Sequence, residues 1–389
     1  MILFTHKNNK LITANDIASQ LAMSDLNCKF AELINRHMNT SELLNIRLYN
    51  QLLLTHDIEE PCDIVSWMGV MQSQALDMAK WAIGTRLENR NVKDIDEALN
   101  TGKIIRTHIL RPTWHFVSAE DIHWMFDLSN PRLKPIYRSY AKTFGADESL
   151  IYRVVPVLER VLMGGKHLTK QEIGDALLEQ DIILDDGHLQ LTISYAEMEG
   201  ILINGRLKGN KQTFTLFEEW VPRRKTLSKE EALECLARRF FTSHGPATIH
   251  DFVWWSGLTM TECRQAIEMI RTDFICETIN RRDFWMRNDI KIPPADENYA
   301  LLLPPFDEFV VSYKNRSEII EDTHYGKVMT KNGLFSPTII LNGEIIGSWK
   351  KITQKGSPRI ELSFFEKTPK RKQDLFKSEI KRLEHFYFI

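Results

Sequence analysis

Residues 227–287, which read LSKEEALECLARRFFTSHG, PATIHDFVWWSG, LTMTECRQAIEMIRTD and FICETINRRDFWMR in succession, carry the pattern that decides the fold. In the first block Ser228 is placed as an N-cap, Glu231 three residues on completes a capping box, and Gly245 ends the helix. The second block gives a short helix closed by Gly257, and the third a helix entered through Thr259 or Thr261. The last reads as two strands around a polar turn. Helix, helix, turn, helix and a β-hairpin is the layout of a winged helix-turn-helix.

The unit recurs upstream. Over 150–217, LIYRVVPVLERVLMGG and LTKQEIGDALLEQ are helical, TISYAEMEG starts a third helix, and ILINGRLKGNKQTFTLF is a hairpin with Gly209-Asn210 at its turn. Over 41–118, SELLNIRLYNQLLL and DIVSWMGV supply two helices and RTHILRPTWHFVS a hairpin-like pair of strands. Aligning SWMGVMQSQALDMA with WWSGLTMTECRQAI sets Gly69 against Gly257. The triplet Gln72-Ser73-Gln74 then falls at the turn that opens a recognition-type helix. From 293 onward the chain changes character: SPTIILNGEIIGSWKKITQKGSPRIELSFFEK alternates strands with turn signals, and a basic helix follows. The expected fold is α+β: a helical N-terminal extension (1–40), winged helices over 41–140, 141–224 and 225–292, and a C-terminal β-rich, barrel-like domain (293–389).

Composition is that of a soluble globular chain, 43% hydrophobic and 26% charged over 389 residues. No apolar run reaches membrane-spanning length, and MILFTHKNNKLITAND lacks the apolar core of a secretory signal. The five cysteines are widely spaced with no CxxC pair, which suits reduced thiols and a cytoplasmic location. A net charge of −2 makes no global case for nucleic acid. Local charge differs: VPRRKTLSK (221–229) holds only basic charges, and EKTPKRKQDLFKSEIKRL (366–383) is strongly basic. Either run also reads as a solvated face.

No P-loop, GxGxxG, GxSxG or HExxH is present. His115, His123, Glu120 and Asp121 cluster in TWHFVSAEDIHW without a complete ligand set, so no metal is expected, and SAED also reads as a helix start. In LLLPPFDEFVVSYKNR, Asp307 and Glu308 could orient a water or cap a turn, and Arg316 could pair with Asp307. Trp349 could stack on a base or pack in a core. The glutamines are informative by their chemistry. An amide cannot serve as a general base near neutrality, but it can orient a water or read an adenine edge. In a regular helix residues i and i+2 point apart, whereas at a helix entrance both amides can face one ligand. Surface and cap roles remain equally open on spacing alone.

GVMQSQALDMAKWAIGTRL, ALNTGKIIRTHILRPTWHFVSAEDIHW, LLLPPFDEFVVSYKNR and SPTIILNGEIIGSWK, in that order, resemble the AlkZ-like DNA glycosylases across roughly residues 41–365. The resemblance implies three winged helices and a β-rich domain around a DNA-binding concavity. It also implies a monofunctional, cofactor-free, monomeric enzyme that removes alkylated bases, bulky or crosslinked ones included, from double-stranded DNA. The family's Gln–apolar–Gln motif maps onto Gln72-Ser73-Gln74, with Ser73 a departure from the apolar centre. Gln72 and Gln74 are thus expected to be catalytic, and Arg86, Arg111, His115, Asp307, Arg316 and Trp349 to contact DNA or the lesion. The rivals are a non-catalytic winged-helix regulator and a protein-contact scaffold, neither of which would release a base.

Overall fold

The computed structural model describes residues 38–145, 148–221, 226–290, 298–354 and 357–388. The extension expected over 1–40 lies outside the described residues except for 38–40, as do 222–225 of the first basic run. The chain then runs through helices α1 (Thr40–Asn50) and α2 (Pro61–Met68), strand β1 (Val70–Gln72), helices α3 (Leu76–Gly84) and α4 (Val92–Asn100), and strands β2 (Ile104–His108) and β3 (Trp114–Ser118). Capping boxes set two of the helix starts, Asn39 with Glu42 and Asn91 with Asp94. Helix α2 ends because Gly69 adopts φ 80°, and a Cβ there would lie 3.3 Å from the Trp255 ring.

This first unit differs from the repeat alignment in one respect. Gly69 and Gly257 do occupy matching helix ends, but Gly69 leads into β1 rather than directly into a helix. Gln72 is therefore a strand residue, and two helices, α3 and α4, separate it from the β2–β3 hairpin. Three residues of strand inside GVMQSQAL are too few for a period of two to declare itself.

The second unit comprises α5 (Ile122–Thr143), α6 (Glu148–Leu162), β4 (Leu168–Thr169), α7 (Lys170–Leu178), α8 (Asp186–Met198), β5 (Leu202–Asn204), β6 (Thr213–Leu216) and the short α9 (Phe217–Trp220). Its third helix starts six residues before TISYAEMEG, where Asp185 caps the His188 N–H. The turn lies at Gly209-Asn210, bracketed by a Lys208–Lys211 bridge. The third unit, α10 (Lys229–Ser243), α11 (Ile249–Ser256), α12 (Met260–Ile270), β7 (Phe274–Ile279) and β8 (Arg282–Arg287), follows the expected element order. The Ser228/Glu231 box and Thr259 cap are in place, and Gly257 ends α11 at φ 68°.

The last segment holds β9 (Ala300–Leu303), α13 (Glu308–Val311), α14 (Asp322–Val328), β10 (Thr338–Leu341), β11 (Glu344–Gln354), β12 (Ser357–Phe364), α15 (Lys370–Asp374) and α16 (Lys377–Phe388). Its antiparallel sheet runs β12-β11-β10-β9 and stays open, so the barrel-like closure expected here does not form. The terminal basic stretch is two helices, broken where Phe376 turns into the core.

Strand β1 has a particular place in this packing. It is an edge strand of the sheet β1-β3-β2 and pairs antiparallel with the central strand β3, with Val70 opposite Val117 and Gln72 opposite His115. Because side chains alternate along a strand, its two faces enter different cores. Val70 packs with Phe240, Phe252 and Trp255 of the third unit, whereas Met71 packs with Trp81, Leu302 and Trp349 against the C-terminal sheet. Each buried side chain of this kind is worth about 1.5–3 kcal/mol of transfer free energy.

Candidate active site

The two amides at i and i+2 straddle the end of a strand: Gln72 is the last residue of β1, and Gln74 stands in the bend that leads into α3. Gln72 is nearly buried, Gln74 is exposed, and Ser73 is fully enclosed. The Ser73 hydroxyl has no hydrogen-bond partner among the described residues.

The segment is held from several directions. The Gln72 N–H donates to Glu308 Oε1 at 2.6 Å, and the Ser73 N–H to the Trp114 carbonyl at 2.7 Å. Arg106 donates through Nε and Nη2 to the Ser73 carbonyl at 3.1 and 3.0 Å. The Trp114 N–H reaches Gln74 Oε1 at 3.3 Å. Trp114 is itself clamped, with the Arg106 guanidinium 4.3 Å from its ring and the His108 ring 3.8 Å away. His108 is fixed in turn by Glu197 at 3.0 Å.

Beside Gln72 stand Arg111 and His115. Arg111 Nη2 lies 3.5 Å from Gln72 Oε1 and 3.2 Å from His115 Nε2, and His115 Nδ1 donates to the Thr113 carbonyl at 2.8 Å. Burial, reinforced by the Arg111 charge, lowers the His115 pKa to about 3, so the ring is neutral and its free nitrogen accepts from Arg111. Behind them Glu308 is wholly enclosed. Burial would raise its carboxyl, but the His244 ring, the Arg111 charge and the Ser312 hydroxyl outweigh burial and hold it at about 2. Its Oε2 also accepts from Trp255 Nε1 at 3.1 Å. An ionised carboxylate thus sits directly beneath the Gln72 backbone.

The other expected residues are placed as follows. Arg86 and Asp307 form a fully buried bidentate pair at 2.8 and 2.9 Å, and Asp307 also caps α13 through the Phe309 N–H. Arg316 does not reach Asp307. It is buried and donates to the carbonyls of Val310 and Val311 and to the Tyr325 hydroxyl. Trp349 is a core residue whose indole N–H donates to the Leu303 carbonyl at 2.9 Å. His123 contacts the Val221 carbonyl, and Asp121 is taken up by Arg239, Ser118 and Trp124. Sequence reasoning passed over Arg106 and Trp114, although a lone cation in the apolar run of β2 was the available signal.

The Gln72 and Gln74 amides can each hydrogen-bond a water or a polar edge, and the His115 ring beside Gln72 is neutral. Comparisons with known proteins agree in kind. The fold is similar to that of the Streptomyces sahachiroi DNA glycosylase AlkZ, with a TM-score of 0.73 at 17% identity, over 90% of this chain and 96% of that one. No curated protein sequence matches the chain. Residues 65–386 match the family described as DNA glycosylase AlkZ-like, and the chain belongs to the AlkZ-like DNA glycosylase family. Membership makes it a glycosylase of DNA repair, a hydrolase that acts on DNA. No helix among the described residues is long and apolar enough to cross a membrane.

Proposed function

We propose that this chain is a monofunctional glycosylase that hydrolyses the N-glycosidic bond of alkylated purines in double-stranded DNA. The observation that carries this reading is the Gln72-Ser73-Gln74 segment itself, tied at Gln72 N, Ser73 N and Ser73 O, with the Arg111 guanidinium at the Gln72 amide. An amide oxygen has two lone pairs. Arg111 approaches one on Gln72, which leaves the other for a water aimed at C1′.

A cationic alkylated purine is already a good leaving group, so no general acid is required. The neutral His115 accordingly serves by orienting Arg111 rather than by moving a proton. Positive charge developing on the sugar is balanced by the Glu308 carboxylate behind Gln72. We assign DNA contact to Arg111 and Arg316. Arg86, Asp307 and Trp349 spend their polar atoms on the protein and act as braces. The three helix–hairpin units are taken as winged helices that grip the duplex, with the protein acting as a monomer.

The test is single-turnover release of N7-methylguanine from a duplex carrying one such base. Gln72→Ala and Gln74→Ala should each slow release by about 100-fold or more, the range expected for losing a positioned reactant. Release at the wild-type rate from both variants would refute the assignment.

A further inference from the structure

A cavity of about 780 Å³ opens between the start of α11, the tip of the β7–β8 hairpin and the chain that follows α13. His250, Arg281, Arg282, Lys314, Arg316 and Tyr325 are among its lining residues. Arg316 is only 6% exposed, yet it pairs with no carboxylate among the described residues. Its guanidinium has five N–H groups, and three hydrogen bonds account for the partners it has in the protein. Two donors are left, and the Asp251 charge is felt at Arg316 without a direct ion pair between them.

The acids nearby are already engaged. Asp251 accepts from the Thr248 N–H, the Thr248 hydroxyl and the Lys314 N–H, each at 2.8 Å. Asp283 accepts from the Thr278 hydroxyl at 2.7 Å, and Glu318 pairs with Arg282. Arg281 and Lys314 are exposed and have no acidic partner among the described residues, which leaves exposed Asp322 as the one carboxylate not so engaged in the lining. The lining thus holds four cations, Arg281, Arg282, Lys314 and Arg316, against three carboxylates, Asp251, Asp283 and Asp322, an excess of one positive charge, and its two exposed cations have no ion-pair partner among the described residues.

Two elements connect it to the glutamines. Helix α11 starts at the cavity and ends at Gly257, where a Cβ would lie 2.7 Å from the Leu110 carbonyl, next to Arg111. The segment from Glu308, beneath Gln72, leads through α13 to Arg316. The Arg316 charge is felt at Arg111.

We infer that this cavity binds the phosphodiester backbone of the DNA flanking the base released at Gln72 and Gln74. Arg316 supplies the buried donors, and Arg281 and Lys314 the mobile surface charges. This rests on the proposed location of the reaction, so the experiment separates the two. Duplex affinity is measured against salt for the wild type and for the Arg281→Ala/Lys314→Ala variant, both positions being exposed and tolerant of change.

The variant should bind more weakly, with the salt slope of log K reduced by about two, one for each phosphate that is no longer neutralised. A single neutral methylphosphonate, walked along the duplex from the lesion, should weaken wild-type binding most at one position and weaken the variant less there, because Arg316 alone remains to contact that phosphate. An unchanged slope in the variant, or no position-specific effect of methylphosphonate, overturns the inference even where base release proceeds. If inorganic phosphate alone quenches the fluorescence of Trp254, whose ring lies 5.7 Å from Arg316, and duplex does not displace it, the cavity takes free phosphate and the inference fails.

Discussion

The Glu308 carboxylate accepts the backbone N–H of Gln72 at 2.6 Å across 236 residues of sequence. This one bond ties the C-terminal segment to the strand that bears both glutamines. Glu308→Ala leaves the Gln72 N–H, the Trp255 indole and the Ser312 hydroxyl without their acceptor. Loss of a buried charged partner costs about 3–5 kcal/mol. Urea unfolding should show that loss, and base release by the remaining folded protein should also fall, because Gln72 is no longer held.

Acid should destabilise the protein in two windows. The His115 ring is held neutral in the fold at about 3 against an ordinary 6.5, so below pH 6.5 the unfolded chain takes up a proton that the folded one refuses. Stability then falls by about 1.4 kcal/mol per pH unit as the pH drops from 6.5. Glu308 adds a second loss from about 4.5 down to about 2, where the folded carboxylate finally protonates. Unfolding free energies measured from pH 7 to 4.5 should lose part of their slope in His115→Gln, the remainder coming from His244, His56 and His167, whose rings burial also holds below the ordinary value.

Ser73 is enclosed with an unpartnered hydroxyl. Ser73→Ala removes a polar group whose burial is uncompensated and should raise the unfolding free energy by about 1 kcal/mol. The side chain is fully enclosed, so base release should change by less than about threefold, within about 0.7 kcal/mol. A loss of release as large as that of Gln72→Ala would show that the hydroxyl itself takes part.

Arg86 and Asp307 were candidates for DNA contact, and their geometry gives a different expectation. Asp307→Asn removes one partner of a fully buried pair and should cost about 3–5 kcal/mol in urea unfolding. The salt dependence of duplex binding by the folded variant should match that of the wild type, since neither side chain neutralises a phosphate.

Much of the fold was legible because local chemistry and tertiary packing agree. The Ser228/Glu231 box, the Gly257 helix end and the turn at Asn280-Arg281 all form where their residue types place them. The glutamine pair was legible as a motif, but its setting was not: Gln72 ends a strand instead of opening a helix. Val70 and Met71 look like the apolar run of a helix entrance, and only the partner strand β3, some forty residues on, makes the segment extended. The same limit hid the roles of Arg86 and Arg316. A sequence shows a cation, whereas the choice between a carboxylate 221 residues away and three local acceptors is made by packing. The open sheet β12-β11-β10-β9 was likewise beyond reach, since turn signals mark hairpins and not whether edge strands meet.

The position of β1 between two cores bears on how the duplex must behave. Val70 and Met71 anchor opposite faces of a three-residue strand, so Gln72 and Ser73 cannot loosen without opening both hydrophobic clusters at once. Their amide hydrogens should exchange only through the largest opening of the molecule, unlike those of a loop-borne site. A site this stiff does not mould itself to its substrate. The deformation that brings a glycosidic bond against the two amides falls to the DNA, and damage that softens base stacking lowers its cost.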